Sequence, residues 1–393
     1  MNILDQQDFI KNKEDPLPPP IPRIQYKNSP SPFYKDLQKK INDYFSDNNR
    51  TPYATKTLYS KSLILIFIWA LSYTLMLSVE MEAPLLIFCQ MVFHFTMFSM
   101  TIGIAHDGSH NSFSPNPKIN RWATGIFDWV GINSYMWGFN HIKSHHMANN
   151  VPEYDSAIDS FTLFRFHPRA PYYSIHKYQH LYIVFIYGLS TLFKLFFLDF
   201  FSFTRTRIGF LKLDHHPKKE IFYLFITRLT VIFYSLIVPL LWIDTSPWIV
   251  LTGFLFGHFF SGLALGMIFQ VTHLFQNTIW PEPNPKGIIN NSFDLHIMAT
   301  TSDFVPNNLL ITWISGGLNI HVAHHLFPGI SHAHLPALSK MVQETAKEHG
   351  VTYTAHHSLG DAIRSHLRCL KKLGNMNDQK WTDFLVVEND KQI

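Results

Sequence analysis

Three clusters of histidine carry the clearest chemistry in this sequence. The clusters are His106-Asp-Gly-Ser-His110, His141-Ile-Lys-Ser-His145-His146 and His321-Val-Ala-His324-His325. Histidines three or four residues apart lie on one face of a helix, about one turn from each other. Two imidazoles from one helix can then bind the same ion. The spacing therefore predicts metal sites that are built from helical histidine pairs.

The number of these histidines indicates more than one metal ion. Eight imidazoles exceed the four ligands of a structural zinc site, and they suit two ions with nitrogen-rich, open coordination. Imidazole binds iron, zinc, copper and nickel, so the ligand type alone leaves the metal open. His273 lies just past an apolar segment, at a depth similar to that of the clusters, and we count it as a ninth candidate.

Polar side chains near the clusters are candidates for orienting the imidazole rings. A histidine that binds a metal usually donates its other N–H to a carboxylate or a carbonyl. The candidates for this role are Asp107, Asp155, Asp159, Asp303 and Asn319. Asp107 could equally cap a helix, and Asp155 could be a plain surface charge.

Four apolar segments are long enough to cross a bilayer, which takes about 20 residues. They cover roughly residues 60–79, 84–105, 222–243 and 248–270. Short acidic links join them into two pairs, and basic residues precede each pair. By the positive-inside rule, both hairpins enter from the cytosol and return to it. This topology brings all three histidine clusters to the cytosolic face.

A fifth apolar segment, residues 181–201, contains Lys194 and ends near Asp199. If it crossed the bilayer fully, the histidine clusters on its two sides would face opposite compartments. We therefore predict an in-plane or re-entrant helix here. A fifth full span remains the alternative, because the segment is long enough.

Composition supports a membrane protein. Only 15% of the residues are charged, against about 25% in a typical soluble domain. The net charge of +4 comes without a dense basic stripe, which argues against a nucleic-acid partner. Residues 1–57 are predicted to form a flexible, Pro-rich cytosolic tail, and residues 356–393 a cytosolic C-terminal tail. The sequence thus predicts an all-α integral membrane protein, with four transmembrane helices in two hairpins and a cytosolic helical cap that holds two metals.

The three clusters resemble the three histidine boxes of the membrane fatty-acid desaturase family. The stretch Gly316-Gly-Leu-Asn-Ile-His-Val-Ala-His-His-Leu-Phe-Pro328 is similar to the third-box block of that family. So are residues 146–155, which follow the second cluster, and His332-Ala-His-Leu-Pro. The resemblance covers roughly residues 60–355, so we assign residues 58–355 to a desaturase domain. It is nearest to acyl-CoA, linoleoyl-CoA and front-end types.

The resemblance implies a function and a set of cofactors. All eight clustered histidines and His273 would be ligands of two iron ions, with O2 as the oxidant and a bent tunnel for a fatty-acyl chain on CoA or a phospholipid. Trp137 could line this tunnel or anchor the chain at the membrane interface. The active site would face the cytosol, in a bacterial inner membrane or the endoplasmic reticulum.

Two features of the sequence depart from the front-end pattern. The third box begins with His321, where front-end enzymes usually have Gln, so the position of the double bond stays open. No His-Pro-Gly-Gly motif for a fused cytochrome b5 occurs. We therefore expect a separate electron donor, either cytochrome b5 or a ferredoxin with its reductase. A di-iron lipid hydroxylase or epoxygenase, and a histidine–zinc membrane receptor or hydrolase, are the alternative functions.

Overall fold

Helices form nearly all of the regular structure in residues 21–213 and 215–376, the part of the chain that the computed structural model describes. The helices are α1 Pro32–Asp47, α2 Lys56–Ser78, α3 Ala83–Ser109, α4 Pro117–Trp129, α5 (residues 134–148), α6 Ser174–Thr204, α7 Lys218–Trp242, α8 Pro247–His273, α9 Phe293–Thr300, α10 Leu309–Ile314, α11 His321–Leu326, α12 Leu335–Glu348 and α13 Leu359–Asn375. The expected helical architecture is confirmed.

The strands are very short and tie loops together. They are β1 Gln25–Tyr26, β2 Arg207–Ile208, β3 Leu211–Lys212, β4 Ile288–Ile289, β5 Asp303–Phe304 and β6 Ala355–His356. β1 pairs with β4 and β5 with β6 in parallel, whereas β2 and β3 form an antiparallel pair. The β5–β6 pair joins the chain before α10 to the chain before α13.

Five helices of the described chain are long and apolar enough to cross a membrane: α2, α3, α6, α7 and α8. Four of them match the predicted spans to within a few residues, and α6 contains the segment predicted to lie in the membrane plane. Both ends of α6 contact one short segment of the chain. At its start the His176 ring lies 3.0 Å from the Thr162 carbonyl, and just past its end Arg205 donates to Asp159 at 2.8 Å.

Glycines allow the central helices α3, α6 and α8 to approach closely, because a residue without a side chain lets two backbones meet. Gly253 and Gly257 of α8, one turn apart, lie against Gln90 and His94 of α3. A Cβ at Gly253 would be 1.8 Å from the Gln90 side-chain oxygen. On the same helix, a Cβ at Gly262 would lie 2.7 Å from the carbonyl oxygen of Gly188 in α6.

The structure shows a helix within each range predicted to be a tail, α1 in residues 1–57 and α13 in residues 356–393. α1 is amphipathic: Phe33, Leu37 and Ile41 recur every fourth residue and are buried against α12. In α13, Leu370 and Leu373 are likewise buried against α6 and neighbouring residues. Apolar residues at helical spacing must be covered, so both helices pack against the rest of the protein. Residues 1–20 and 377–393 of the predicted tails lie outside the described residues.

Candidate metal centre

Four elements bring the nine predicted histidines together, and all nine lie at one centre. The C-terminal end of α3 carries His106 and His110, and the end of α8 carries His273. The helix α5 carries the second cluster, and the short helix α11 carries the third. The ends of two long apolar helices and two shorter helices beside them thus bring the nine histidines to one place.

The rings form two groups, and within each group one nitrogen per ring lies within 4.8 Å of all the others. The first group, called the five-histidine group below, contains His106, His110, His141, His146 and His324. The second, the four-histidine group, contains His145, His273, His321 and His325. All are buried except His110, which is partly buried.

Short contacts between Nε2 atoms show that the rings of each group converge. In the five-histidine group, Nε2 of His141 lies 3.0 Å from that of His106 and 3.1 Å from that of His146. In the four-histidine group, Nε2 of His273 lies 3.1 Å from that of His145 and 3.0 Å from that of His321. These nitrogens surround one point in each group, as ligands of an ion would.

The pairing of histidines within the second and third clusters differs from the simple expectation. Residues 138–145 are π-helical, so positions five apart become one turn apart. His141 and His146 therefore share a group, while His145 faces the other one. In α11, His321 and His325 share a group and His324 joins the other. Each of these two helices thus contributes to both groups.

The two groups are neighbours. The rings of His146 and His325, one from each group, stack with their centroids 4.3 Å apart. His145 and His146 are adjacent in the chain yet belong to different groups. Two ions bound here would share one continuous set of ligands.

Burial keeps these imidazoles in the form that binds metals. It holds the pKa values of His110, His141, His146, His321 and His324 well below the ordinary value, and neighbouring rings lower them further. A neutral imidazole offers a lone pair, as a metal requires. Among the described residues, buried Nε2 atoms of His110 and His325 have no hydrogen-bond partner. Nine convergent imidazoles, two of them with bare Nε2 atoms, fit two metal ions bound through nitrogen.

Asp155 is the one predicted orienting residue that contacts a ring of the groups directly. Both of its oxygens lie 3.1 Å from Nδ1 of His145. Burial alone would raise the pKa of Asp155, but His145 and the N–H groups of Ala157 and Asn150 lower it below the usual value. The carboxylate can therefore accept the Nδ1 proton and leave Nε2 of His145 free for a metal.

Asp303 supports the third cluster through the backbone instead. It accepts hydrogen bonds from the N–H of Val322 at 2.8 Å and from the Tyr353 hydroxyl at 2.5 Å. Burial raises the pKa of Asp303 to about 6. The ring of His321 is oriented by a carbonyl, since its Nδ1 lies 3.1 Å from the Leu318 oxygen.

The three remaining candidates have other partners in the described structure. Asp107 accepts from Ser331 at 2.7 Å and lies 3.0 Å from the His332 ring. Asn319 donates to the hydroxyl oxygen of Thr312 and to two carbonyls. Asp159 pairs with Arg205. These side chains hold segments around the centre in place and do not orient one of the nine rings.

Sequence reasoning missed the role of Asn150. Its amide donates to the His273 carbonyl at 2.9 Å and to the Thr278 hydroxyl at 2.8 Å, so it links the loop after the second cluster to the end of α8. The backbone of Asn150 is left-handed, at φ 59°. An Asn-Asn pair after a histidine cluster is the signal that could have indicated such a turn.

A cavity of about 370 Å³ opens onto both groups and is lined by His141, His145 and His273. It follows one face of α8, where its lining includes His258, Ser261, Leu265, Phe269 and His273. The fifteen residues from His258 to His273 rise about 22 Å along the helix. The cavity is therefore elongated, and Trp137 lines it, as one reading of the sequence expected.

Comparison with known proteins agrees with this geometry. A family described as Fatty acid desaturase matches residues 82–357. The acyl-lipid (8-3)-desaturase of Physcomitrium patens is 30% identical over 87% of this chain and 72% of its own length. The sn-1 linoleoyl-lipid 6-desaturase of Synechocystis sp. is 27% identical over 87% of this chain and 95% of its own. The probable Delta(5) fatty acid desaturase C of Dictyostelium discoideum is 29% identical over 88% of this chain and 76% of its own length.

These similarities extend over most of the chain and include all nine histidines of the centre. The match covers the four elements that carry the two groups, from α3 to α11. The chain therefore belongs to the fatty acid desaturase family of oxidoreductases, which introduce double bonds into acyl lipids.

Proposed function

We propose that the two histidine groups bind two iron ions and that the chain inserts a cis double bond into the acyl chain of a membrane lipid. The observation that carries this proposal is the cavity, which runs along α8 and opens onto both groups. Iron, when bound, would supply the O2-dependent oxidation of a methylene, which no side chain can perform.

The protein's own residues would hold and orient the reactants. The nine imidazoles would be the ligands, with Asp155 accepting the Nδ1 proton of His145 and the Leu318 carbonyl accepting that of His321. The walls of the cavity would fix which methylene lies beside the centre. Adjacent methylenes are chemically alike, so the position of the double bond must come from this placement. Partly buried rings that line the cavity, such as Phe269 and Trp137, would keep water away.

The membrane topology is part of the proposal. We place four helices across the bilayer, α2, α3, α7 and α8, with α6 re-entrant and the metal centre on the cytosolic face. Contacts at both ends of α6 support this arrangement, because residues 159 and 162 are too close in the chain to lie on opposite sides of a bilayer. The enzyme would then act in a bacterial inner membrane or the endoplasmic reticulum.

The electron donor would be a separate protein, cytochrome b5 or a ferredoxin with its reductase. The acyl carrier would be a complex lipid, since the relatives named above include two acyl-lipid enzymes. The carrier can be identified by finding the lipid class in which the new double bond first appears.

Replacement of His324 tests the proposed function. His324→Ala removes one ring of the five-histidine group, whereas His357→Ala changes an exposed histidine that belongs to neither group. In a host without polyunsaturated lipids, we expect double-bond formation from the wild type and the control and none from His324→Ala. Purified wild type should contain two iron ions per chain. Full activity of His324→Ala, active protein without iron, or products that gain one oxygen would contradict the proposal.

A further inference from the structure

Two histidines that are not part of the metal centre lie at the inner end of the cavity. His94 of α3 and His258 of α8 both line it, with ring centroids 4.7 Å apart. Each is eleven residues, or about 16 Å, from the start of its helix, near the middle of a 30 Å bilayer core. Ionisable side chains at this depth are rare and usually functional.

Hydrogen bonds fix the tautomers of both rings. Nδ1 of His94 lies 2.8 Å from the Gln90 carbonyl, which can only accept, so Nδ1 carries the proton. Thr191 donates its hydroxyl proton to the His258 carbonyl at 2.8 Å, so its oxygen accepts from Nδ1 of His258 at 3.2 Å. In the neutral rings both Nε2 atoms are therefore bare acceptors.

Neither Nε2 atom finds a donor in the described part of the chain, and the Ser261 hydroxyl beside them is also unpaired there. His94 and His258 are 3% and 5% exposed. Gly257 makes the room for this arrangement, since a Cβ there would lie 2.5 Å from Nδ1 of His94. The site is thus built by close helix packing and needs a donor from the cavity.

The chemistry of the two acceptors selects the ligand. A hydrocarbon chain would leave both nitrogens unsatisfied, which is costly for buried groups. An ester carbonyl is itself only an acceptor. Two imidazoles also fall short of the four ligands that a zinc site uses. An O–H group, in contrast, donates to Nε2 and can exchange hydrogen bonds with Ser261.

We propose that His94 and His258 form a hydroxyl-binding site at the inner end of the acyl cavity, and that this site selects among acyl chains by their distal end. The hydroxyl belongs either to a held water molecule or to a hydroxylated acyl chain. This inference rests on the proposed function, because it takes the cavity to be the acyl site. The site lies about 18 to 22 Å from the metal centre along α3 and α8.

The test compares the wild type with the double variant His94→Leu/His258→Leu, and with His357→Leu as an exposed control. Cells receive fatty acids of equal length, either unsubstituted or with one hydroxyl at successive distal positions, and also longer unsubstituted chains. If a chain hydroxyl is the ligand, one hydroxyl position is converted well by the wild type, and the double variant lowers its conversion relative to the unsubstituted chain about 100-fold.

If a held water is the ligand, hydroxylated chains gain nothing, and the double variant instead prefers longer unsubstituted chains, because a methylene takes the place of the water. The gain is about fourfold for each added methylene. Either result supports the site. Equal selectivity of wild type and double variant towards every chain overturns it, as does a third metal ion that is lost in the double variant.

A binding measurement keeps this test apart from the proposed function. Purified wild type and double variant are heated with the same fatty acids, and the shift of the unfolding temperature reports binding without turnover. Greater stabilisation of the wild type by the hydroxylated chain, or of the double variant by the longer chain, supports the site even if no double bond forms. If the double variant does not fold, the wild type alone decides. It must either be stabilised more by one hydroxylated chain than by the unsubstituted chain, or lose stabilisation sharply as unsubstituted chains lengthen. Equal stabilisation by hydroxylated and unsubstituted chains, with no decline for longer chains, contradicts the proposal.

Discussion

Asp155 should strengthen iron binding, because its carboxylate contacts a ring of the centre. Its oxygens accept four contacts: both lie near Nδ1 of His145, one accepts from Asn150 N–H at 2.8 Å, and the other accepts from Ala157 N–H at 2.8 Å. Asp155→Asn keeps the size of the side chain but replaces one acceptor oxygen with a donor. One backbone N–H then faces an NH2 group.

The expected loss of iron affinity in Asp155→Asn follows from these contacts. A buried donor left without an acceptor costs about 1–3 kcal/mol. Loss of an outer carboxylate typically costs about 10–100-fold in metal affinity or activity. We therefore expect Asp155→Asn to bind iron about 10–100-fold more weakly and to lose a similar factor in double-bond formation. Iron content after dialysis against increasing chelator concentrations measures the iron affinity. Lipid analysis measures double-bond formation.

Asp159→Asn is the matched control, since Asp159 lies four residues further on and contacts Arg205 but none of the nine rings. Its iron content should equal that of the wild type. Asp155→Asn protein that retains its iron against the chelator would refute the reasoning. So would an equal loss of iron from Asp159→Asn.

Two further predictions concern stability. Gly253→Ala would place a methyl group against the buried Gln90, whose amide is held by the Val250 carbonyl, so we expect about 1–3 kcal/mol of destabilisation in thermal unfolding. Gly125→Ala should not destabilise the protein, because nothing lies within 4 Å of a Cβ at that position. Equal destabilisation by the two substitutions would contradict the close packing of α3 and α8 at Gly253. Burial raises the pKa of Asp128 to about 6, so the folded state favours the protonated acid and stability falls as the pH rises from about 4 through about 6. Asp128→Asn should abolish this fall in stability, which is on the order of 3 kcal/mol at most. The free energy of unfolding, measured across that pH range for both proteins, tests this. A variant with the same pH profile as the wild type would contradict the prediction.

Spacing in the sequence predicted which histidines meet, because clustered imidazoles at helical intervals and the ends of apolar segments are local features. It did not predict how they divide between two groups. That division depends on the π-helical turn from Gly138 to His145, which places His146 rather than His145 beside His141. A π-helical turn has one more residue than an α-helical turn, and the residue types do not reveal where such a turn occurs.

The choice among the five orienting candidates depended on loop geometry that residue types do not reveal. Asp155 reaches His145 because the loop folds back through left-handed backbone at Asn150 and Glu153, with φ values of 59° and 69°. Asp159 is almost as near in sequence but lies beyond this turn. For α1, the apolar residues at every fourth position did carry the helical signal, but the proline-rich stretch before it favoured a tail.

The neighbouring positions of His145 and His146 have a consequence for assembly of the cofactor. In the proposed site a single peptide bond would join a ligand of one ion to a ligand of the other, so neither ion could be placed without fixing the backbone that the second one needs. The ordering of residues 138–146 is then a cost borne mainly by the first ion to arrive. Metal uptake should accordingly proceed in pairs, with half-loaded chains rare at every stage of a titration.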